Sequence, residues 1–319
     1  MRAIENRRGS MLIVALWTVS ILSLLAAAAG VRAWLEIRLV RGQIDRMREE
    51  RLVAAAAALA RRVLPPDGKS VATLKDPWAD DAALFRDVRL EEGTFSIVKP
   101  GSGGADGAKT VYGLEDDGDR VNLNTVGADA LRSLMPDADP EVPAAVARWR
   151  QASAPALSTA DDDDYYSSLP HPYPRKRADY ESVEELLLVR GMTPELYAAL
   201  ASLVTVYSRR VNINTATPRT LAALGLGPSL VGKILAFRAG AGTFAEVSAI
   251  SQNLSLTPQE SAQLAAAAPF LATGSQAFRM DVEVWPGDAA ERGRPPARYE
   301  VVLQFLTRGR WIIKHCSRA

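Results

Sequence analysis

Residues 9–31 read GSMLIVALWTVSILSLLAAAAGV and contain no charged side chain. About 20 predominantly apolar residues are what a helix needs to cross a bilayer. Arg7 and Arg8 directly precede this segment, and an excess of arginine marks the cytoplasmic end of a membrane helix. The apolar run is too long for the core of a secretory signal peptide, and no A-x-A cleavage site follows it. The segment therefore predicts a transmembrane helix with a cytoplasmic N-terminus.

The helical pattern continues beyond the apolar segment. Apolar residues recur on one side among arginines and glutamates, and the alanine-rich sequence LVAAAAALARRVL follows at 52–64. No proline occurs before Pro65. One helix from Ser10 to Leu64 would be about 80 Å long, and only its first part can lie in lipid. The remainder is expected to pack its apolar stripe on the rest of the chain or on a neighbour, since an isolated amphipathic helix is only marginally stable.

The composition argues against an enzyme. The chain has 319 residues, a net charge of +1, one cysteine (Cys316) and two histidines (His171 and His315). A single cysteine forms neither an internal disulfide nor a thiolate metal site, and a balanced charge predicts no polyanionic partner. No Ser/His/Asp, Cys/His or paired-carboxylate arrangement stands out. We expect one anchor and about two domains, without catalytic residues.

Two regions alternate between apolar and polar residues with a period of two, which is typical of half-buried strands. The first, at 94–123, contains an acidic turn at 115–119 and a returning strand at 120–123. The second, at 278–314, ends in a short strand at 310–314. These strands are predicted to be antiparallel.

An internal repeat separates the two strand regions. Residues 121–134 (VNLNTVGADALRSL) and 211–224 (VNINTATPRTLAAL) share six identities in fourteen positions. A second pair of segments, beginning at Tyr180 and Phe244, has the same apolar spacing and the same Thr-Pro pair before its last helix. The repeat predicts two similar helical units that pack together. The expected helix N-caps are Thr125, Thr193, Thr215 and Thr257.

The strands can complete one sheet only if the helical region is an insertion. The predicted fold class is therefore α+β: a long N-terminal helix on an antiparallel sheet, with an inserted all-α domain of two similar units that resemble SAM-like or helix-hairpin-helix units. The predicted boundaries are a leader at 1–9, a transmembrane part at 10–31, the first part of the helix-and-sheet domain at 32–123, the insertion at 124–271 with units at about 124–208 and 211–271, and the last strands at 272–319.

This combination resembles the K class of minor pseudopilins of type II secretion systems, over essentially the whole chain. The leader that ends in glycine before an apolar helix is similar to the processing site of type IV pilins and pseudopilins, although an ordinary signal anchor is equally compatible with the leader alone. The segment VEELLLVRGM at 183–192 is a more specific marker. The paired N-x-N-T motif is another, and its residues are Asn122, Asn124, Thr125, Asn212, Asn214 and Thr215. The resemblance implies a pilin-like fold.

The resemblance also implies that a prepilin peptidase cleaves between Gly9 and Ser10 and methylates the new N-terminus. Most pilin-like proteins carry a glutamate at the fifth mature position, where this chain has Val14. That glutamate pairs with the N-terminal amine of the neighbouring subunit, and the K class characteristically lacks it. A subunit without this contact can lie at the top of a filament. The insertion implies the same position, because it would clash with a subunit stacked above it.

The resemblance therefore implies a non-catalytic tip subunit that initiates or caps a periplasmic pseudopilus during the export of folded proteins. The implied partners are the other minor pseudopilins, with the I and J classes nearest and the H class also expected. A prepilin peptidase and the inner membrane are the further implied partners. The N-terminus is expected in the cytoplasm and the body in the periplasm.

An exported, membrane-anchored DNA-binding protein is the alternative function. Residues 224–238, LGLGPSLVGKILAFR, look like a helix-hairpin-helix. However, residues 121–271 contain 12 Lys and Arg against 15 Asp and Glu, a net charge of −3, while nucleic-acid affinity depends on neutralising phosphates. The same segment has the spacing G-x-x-x-x-G-K, but Ile234 stands where a hydroxyl must hold magnesium. No nucleic-acid partner is expected.

Four consecutive acids are the one candidate metal site. Runs of this kind are usually solvated loops, and no EF-hand spacing is present. K-class insertions are nevertheless associated with calcium, and carboxylates are suitable ligands for that ion. Calcium is thus an expectation from the resemblance alone, and no other cofactor is required. The four residues are Asp161, Asp162, Asp163 and Asp164.

Overall fold

The structure begins with a single long helix, α1, which spans Glu5–Val63. It has 59 residues and is about 88 Å long. Every described side chain from Met11 to Ile44 is exposed, whereas the last turns of α1 are buried against the body. Within the described residues, α1 is the one helix that is long and apolar enough to cross a membrane. The computed structural model describes residues 5–67, 70–100, 110–151, 160–240, 242–287, 293, 295–306 and 310–318, and the side chains of these residues except 5–10 and 160–162.

An antiparallel sheet forms the centre of the body, and a short helix, α2 (Ala82–Phe85), precedes it. The six strands are β1 (Val88–Leu90), β2 (Gly93–Val98), β3 (Glu115–Asp116), β8 (Ala277–Pro286), β9 (Ala297–Leu306) and β10 (Arg310–Arg318). Five of them follow one another in the order β1-β2-β8-β9-β10. The short strand β3 pairs with the beginning of β8, beyond the end of β2.

The helical domain interrupts this sheet, because β2 and β8 are neighbours although about 180 residues separate them. Phe95 pairs with Val284, and Ile97 with Val282. The predicted fold class is confirmed. The prediction that residues 120–123 return to this sheet as a strand is wrong. Val121–Asn122 forms β4, which pairs in parallel with β5 (Val204–Thr205) inside the helical domain. The chain leaves the sheet at Asp116 and turns through a 3-10 helix before β4 begins.

The core of the helix-and-sheet domain lies between the end of α1 and one face of the sheet. Small residues of α1 are fully buried there, so that the helix backbone can lie close to the strands. Large aromatic rings fill the remaining space, with Trp78 edge-on to Phe278 at 4.8 Å between ring centroids. The alternation expected in β8 and β9 is the observed one, and the buried residues of this face are Phe278, Met280, Val282, Val284, Tyr299, Val301 and Leu303.

The insertion consists of two units with separate apolar cores. Thr193 and Thr257 are helix N-caps, as expected, but Thr125 and Thr215 are not, because their helices begin two residues later, at the caps Gly127 and Thr217. Unit one contains β4, α3 (Ala128–Leu134), α4 (Glu141–Trp149), α5 (Ala160–Ser167), a 3-10 helix (Val183–Leu188), α6 (Pro194–Ala201) and β5. Unit two contains β6 (Val211–Asn212), α7 (Pro218–Ala223), α8 (Pro228–Gly240), α9 (Ala249–Asn253), α10 (Pro258–Ala267), a 3-10 helix (Ala268–Phe270) and β7 (Leu271–Ala272).

Candidate functional site

The N-x-N-T motif of unit one forms a closed set of hydrogen bonds. The side-chain oxygen of Asn122 accepts from the backbone N–H of Asn124 at 2.7 Å. The Asn124 amide in turn donates to the carbonyl of Tyr180 at 3.0 Å and accepts from the backbone N–H of Tyr180 at 2.7 Å. The motif thus joins the start of the unit to a segment 56 residues further along the chain.

Unit two repeats this arrangement bond for bond. Asn212 accepts from the backbone N–H of Asn214 at 3.0 Å, and Asn214 exchanges two bonds with the backbone of Phe244, at 2.9 and 3.0 Å. Tyr180 and Phe244 are the two residues that the sequence repeat aligns. The motif residues are therefore packing elements inside the protein, since an asparagine side chain that satisfies a buried backbone N–H and carbonyl has little capacity left for a ligand.

A buried aspartate joins unit two to the sheet. Asp116, at the end of β3, is 2% exposed. Its Oδ2 accepts hydrogen bonds from Asn212 Nδ2 at 2.9 Å, from Thr215 Oγ1 at 2.6 Å and from Ser275 Oγ. Its Oδ1 accepts from the backbone N–H of Gly118 at 2.7 Å. Two of the three N-x-N-T motif side chains of unit two, Asn212 and Thr215, are thus hydrogen-bonded to one carboxylate of the sheet.

The next residue, Asp117, does the same for unit one. It is fully buried, and its Oδ2 accepts from Thr205 Oγ1 and from the backbone N–H of Ser208 at 3.2 Å. Its Oδ1 accepts from Arg279 Nε of β8 at 2.6 Å, which gives the buried carboxylate a cationic partner. Hydrogen bonds to a charged group contribute about 1.5–3 kcal/mol each, roughly twice a neutral one.

The two consecutive aspartates therefore each hold one unit of the repeat, and we call Asp116 and Asp117 the aspartate junction. The sequence did not predict this role, because the acidic residues at 115–119 fit an ordinary turn. Gly118 is part of the same geometry, since a Cβ at this position would lie 2.9 Å from Asp116 Oδ1 and 3.0 Å from Ser275 Oγ. Nothing in the local pattern distinguishes such acids from solvated ones, because their donors lie about 90–160 residues away.

The junction also perturbs the carboxyl groups around it. Burial raises the pKa of Asp116, although its hydrogen bonds act in the opposite direction. Burial and the neighbouring carboxylate of Glu115 raise the pKa of Asp119 to about 8, against the lowering effect of Arg120. Arg120 Nε is 3.6 Å from Asp119 Oδ1. At neutral pH the folded protein therefore retains a proton that an exposed aspartate would have released.

The insertion lies at the end of the sheet furthest from the anchor. The Asn212 side chain donates to the carbonyl of Ala72 at 2.9 Å, and Ala72 follows the C-terminal end of α1. At the opposite end of the body, Tyr299 Oη donates to Glu49 of α1 at 2.7 Å. The anchor, the sheet and the insertion thus follow one another along the direction of α1.

The predicted N-terminal processing residues belong to α1. Gly9 and Ser10 are helical in backbone, while their side chains lie outside the described part of the structure. Val14 is 60% exposed, within the apolar segment. The cleavage of this segment and the role of Val14 stay predictions.

The acidic run offers little support for a calcium site. Asp163 forms ion pairs with Arg175, at 3.6 Å, and with Arg177. Two guanidinium groups compete with a metal ion for one carboxylate, and the described residues contain no group of three potential ligands. Asp164 is exposed, and the side chains of Asp161 and Asp162 lie outside the described residues. Asp163 is thus engaged by cations of the same chain, and calcium binding by the acidic run stays a prediction.

The hairpin of unit two is occupied by its own chain. The backbone N–H of Gly227, in the turn before α8, donates to Gln263 Oε1 at 3.0 Å. Lys233 Nζ donates to Glu260 Oε2 and to the carbonyl of Ser255, both at 2.7 Å. A phosphate bound at this turn would have to displace these contacts and approach the carboxylate of Glu260, so the geometry disfavours DNA and nucleotide binding.

Comparisons with known proteins agree with the fold and the paired motifs. Residues 120–209 match the family model of type II secretion system protein K. The resemblance to the protein K class is confirmed. A type II secretion system protein K of Aeromonas hydrophila is 28% identical over 247 residues, which cover 69% of this chain and 70% of the relative. The crystal structure of the GspK-GspI-GspJ complex from enterotoxigenic Escherichia coli contains a chain that superposes with a TM-score of 0.66 and 16% identity, covering 88% of this chain and 99% of that one.

The similarity to protein K agrees with the α+β fold described above. Protein K is a minor pseudopilin, a structural component of the type II secretion system, and the long apolar α1 fits a single-pass anchor in the inner membrane. The family-model match begins at Arg120, three residues after Asp117, and ends at Arg209, two residues before β6 begins. The family model therefore covers unit one of the insertion.

The aspartate junction should be energetically coupled to the N-x-N-T motif. Asp116→Ala leaves buried donors of Asn212, Thr215 and Ser275 without their acceptor, so we expect it to lower the free energy of unfolding by about 2–4 kcal/mol. Combined with Asn212→Ala, the loss should be non-additive by about 0.5–3 kcal/mol in urea unfolding followed by tryptophan fluorescence. The exposed Asp129→Ala is the control and should change stability by less than about 0.5 kcal/mol. Strict additivity of the Asp116 and Asn212 variants would contradict the coupling.

The raised pKa of Asp119 should make stability fall as pH rises. The folded protein holds this proton up to about pH 8, whereas the unfolded chain releases it near pH 4, so the free energy of unfolding decreases between these values. The pKa of Asp281 is raised to about 6, so this residue also makes stability fall with rising pH, but only below about that pH. We therefore compare wild type with Asp119→Asn between pH 6 and 8 by urea unfolding.

In this window the wild-type protein should lose stability with rising pH more steeply than Asp119→Asn. The exposed Asp129→Asn should retain the wild-type slope. Parallel pH profiles for wild type and Asp119→Asn would show that Asp119 does not titrate in this range.

Proposed function

We propose that this chain is the tip subunit of a periplasmic pseudopilus, which it initiates or caps during the export of folded proteins. The observation that supports this proposal is the position of the insertion at the end of the body furthest from the apolar segment of α1. Pilin-like subunits stack along their N-terminal helices, so that a following subunit would have to occupy the space beyond the body. About 150 residues of folded insertion already fill that space.

Val14 supports the same position. In the proposed family, a glutamate at the fifth mature position pairs with the N-terminal amine of a neighbouring subunit. The side chain of valine can neither accept a hydrogen bond nor pair with a charge. Val14 lies in the exposed apolar part of α1, where a neutral side chain is compatible with both lipid and helix packing. A subunit with an apolar residue here loses the contact that would recruit it beneath another subunit.

The proposed partners are the I and J classes of minor pseudopilin, with the H class next. The solved complex that this chain resembles contains GspK, GspI and GspJ. The part of α1 between the apolar segment and the body supports such assembly, because Trp34, Ile37 and Leu39 are each more than half exposed there. These side chains can be buried only by other helices once the segment has left the membrane.

The proposed role is non-catalytic, with the N-terminus in the cytoplasm and the body in the periplasm. Arg7 and Arg8 before the apolar segment support this orientation. The covalent chemistry in the proposal is done to the chain by prepilin peptidase, which would cleave after Gly9 and methylate the amine of Ser10.

Mass spectrometry of the mature N-terminus tests the processing step. The chain isolated from membranes of a strain with prepilin peptidase should begin at a methylated Ser10. Gly9→Val should retain the leader, because the peptidase requires the small residue before the cleaved bond. Gly30→Ala is the matched control, since no atom lies within 4 Å of a Cβ at this position of α1, and it should be processed normally. An intact leader in the wild-type chain would identify an ordinary signal anchor.

Immunogold labelling of isolated pseudopili tests the position. An antibody against the insertion should label one end of each filament, and the ratio of this chain to the major pseudopilin should fall as filaments lengthen. An antibody against the major pseudopilin, as the control, should label the whole length. Gold particles at regular intervals along the filament would contradict a tip position.

A further inference from the structure

A hollow of about 770 Å³ opens on the surface of unit two, next to β7. Apolar side chains, among them Phe270 and Leu271, and polar side chains line it in about equal measure, and its two arginines, Arg209 and Arg210, are exposed. A second hollow of about 520 Å³ continues it along α9 and α10, because Arg210, Val247 and Leu271 line both. Together they form a groove across the face of unit two, which we call the unit-two groove.

The corresponding face of unit one lies partly against the sheet, and the hollow that remains there is smaller, about 290 Å³. The two units can be aligned through their short parallel strands, since Val204 pairs with Val121 and Leu271 pairs with Val211. Three residues after the start of each second strand, unit one has Tyr207 and unit two has Gly274.

Tyr207 rests on the sheet. Its ring is buried with Ala277 and Val302, and its carbonyl accepts from Gln304 Nε2 at 2.8 Å. The guanidinium of Arg279 lies 5.6 Å from the ring centroid. Gly274 has no side chain to make such contacts, and it lines the hollow instead. Contacts of Tyr207 with the sheet therefore narrow this face in unit one, whereas the equivalent face is more open in unit two.

The charged residues of the unit-two groove indicate the chemistry of a ligand that could bind there. Neither Arg209 nor Arg210 has a carboxylate within 4 Å among the described side chains, and both lie outside the ion pairs of the insertion. The described lining of the 770 Å³ hollow contains one acid, Glu246, so its net charge is +1, in a segment whose net charge is −3. Two exposed arginines beside the apolar side chains of the second hollow are complementary to a segment that carries carboxylates beside apolar side chains.

We propose that the unit-two groove binds an acidic, partly apolar peptide segment of another protein. Its carboxylates would pair with Arg209 and Arg210, and its apolar side chains would cover Val247 and Leu271. Arginine forms bidentate bonds with carboxylates. A nucleic acid fits the groove less well, because its phosphates would gain nothing from the apolar walls. The proposal does not depend on the position of the chain in a filament.

Fluorescence anisotropy with the full chain in detergent micelles tests the proposal. The probes are a fluorescein-labelled Leu-Asp-Leu-Asp-Leu-Asp peptide, its Leu-Lys counterpart and a twelve-nucleotide oligothymidine. The acidic peptide should bind more tightly than either other probe and more weakly as salt is added. Empty micelles measure partitioning into detergent.

Two variants locate the binding. The double variant Arg209→Gln with Arg210→Gln should bind the acidic peptide at least about tenfold more weakly, as expected for the loss of close charge pairs. Ala245→Trp should weaken it by occluding the hollow, and because Ala245 is exposed this variant should fold normally. Arg219→Gln, an exposed arginine of α7 outside the groove, is the matched control and should bind like wild type.

Equal binding of the acidic and basic peptides, or of the peptide and the oligonucleotide, would overturn the proposal. So would unchanged binding by Ala245→Trp, or failure of the wild-type chain to bind the acidic peptide above the level of empty micelles. Thermal unfolding of each variant confirms that a loss of binding reflects the groove and not the fold.

Discussion

The body of this protein depends on two consecutive buried carboxylates. Asp116 bonds to unit two and Asp117 to unit one, at the point where the chain leaves the sheet. Burying a carboxylate is costly unless donors and cations compensate for the loss of water, and these two receive several donors and the guanidinium of Arg279. The compensation is available only when both units and the sheet are in place. The junction therefore makes the position of the insertion specific, because a displaced unit would leave buried charge without partners.

The repeat explains why two aspartates are needed. Each unit begins with the same N-x-N-T motif and ends with a short strand parallel to its first. The serine four residues after the start of that second strand, Ser208 in unit one and Ser275 in unit two, donates to one of the two aspartates. The two copies have since diverged in what covers their faces. Unit one rests on the sheet through Tyr207, whereas unit two has Gly274 and an open groove. Both copies are thus attached to the sheet through the aspartate junction, and they differ in how much of this face stays open.

Sequence similarity and structural similarity to the K class have different causes. Identity to the solved neighbour is only 16%, yet the fold superposes over most of the chain. Helix-on-sheet packing tolerates many apolar combinations provided that volume and pattern are kept, so this part of the sequence can drift. Buried polar networks tolerate less, because each change leaves a partner unsatisfied. The short N-x-N-T motif belongs to such a network, which gives a physical reason for its use as a marker.

The sequence by itself determined the elements whose signal is local. The uncharged run of α1, the alternation in β8 and β9, the repeat, and the N-caps Thr193 and Thr257 all follow from spacing along the chain. It also predicted the insertion, since the two strand regions had no other way to form one sheet. It misassigned the segment at 120–123, because a short strand looks the same whichever partner it pairs with.

Only the tertiary structure showed what the acids at 115–119 do. A solvated turn and a buried junction have the same sequence pattern, and the difference lies in donors that long-range folding brings to Asp116 and Asp117. The same holds for the raised pKa of Asp119, which comes from burial. The open groove of unit two likewise depends on which faces the two units turn towards the sheet. Local periodicity determines secondary structure, but burial and charge compensation arise from contacts between distant residues.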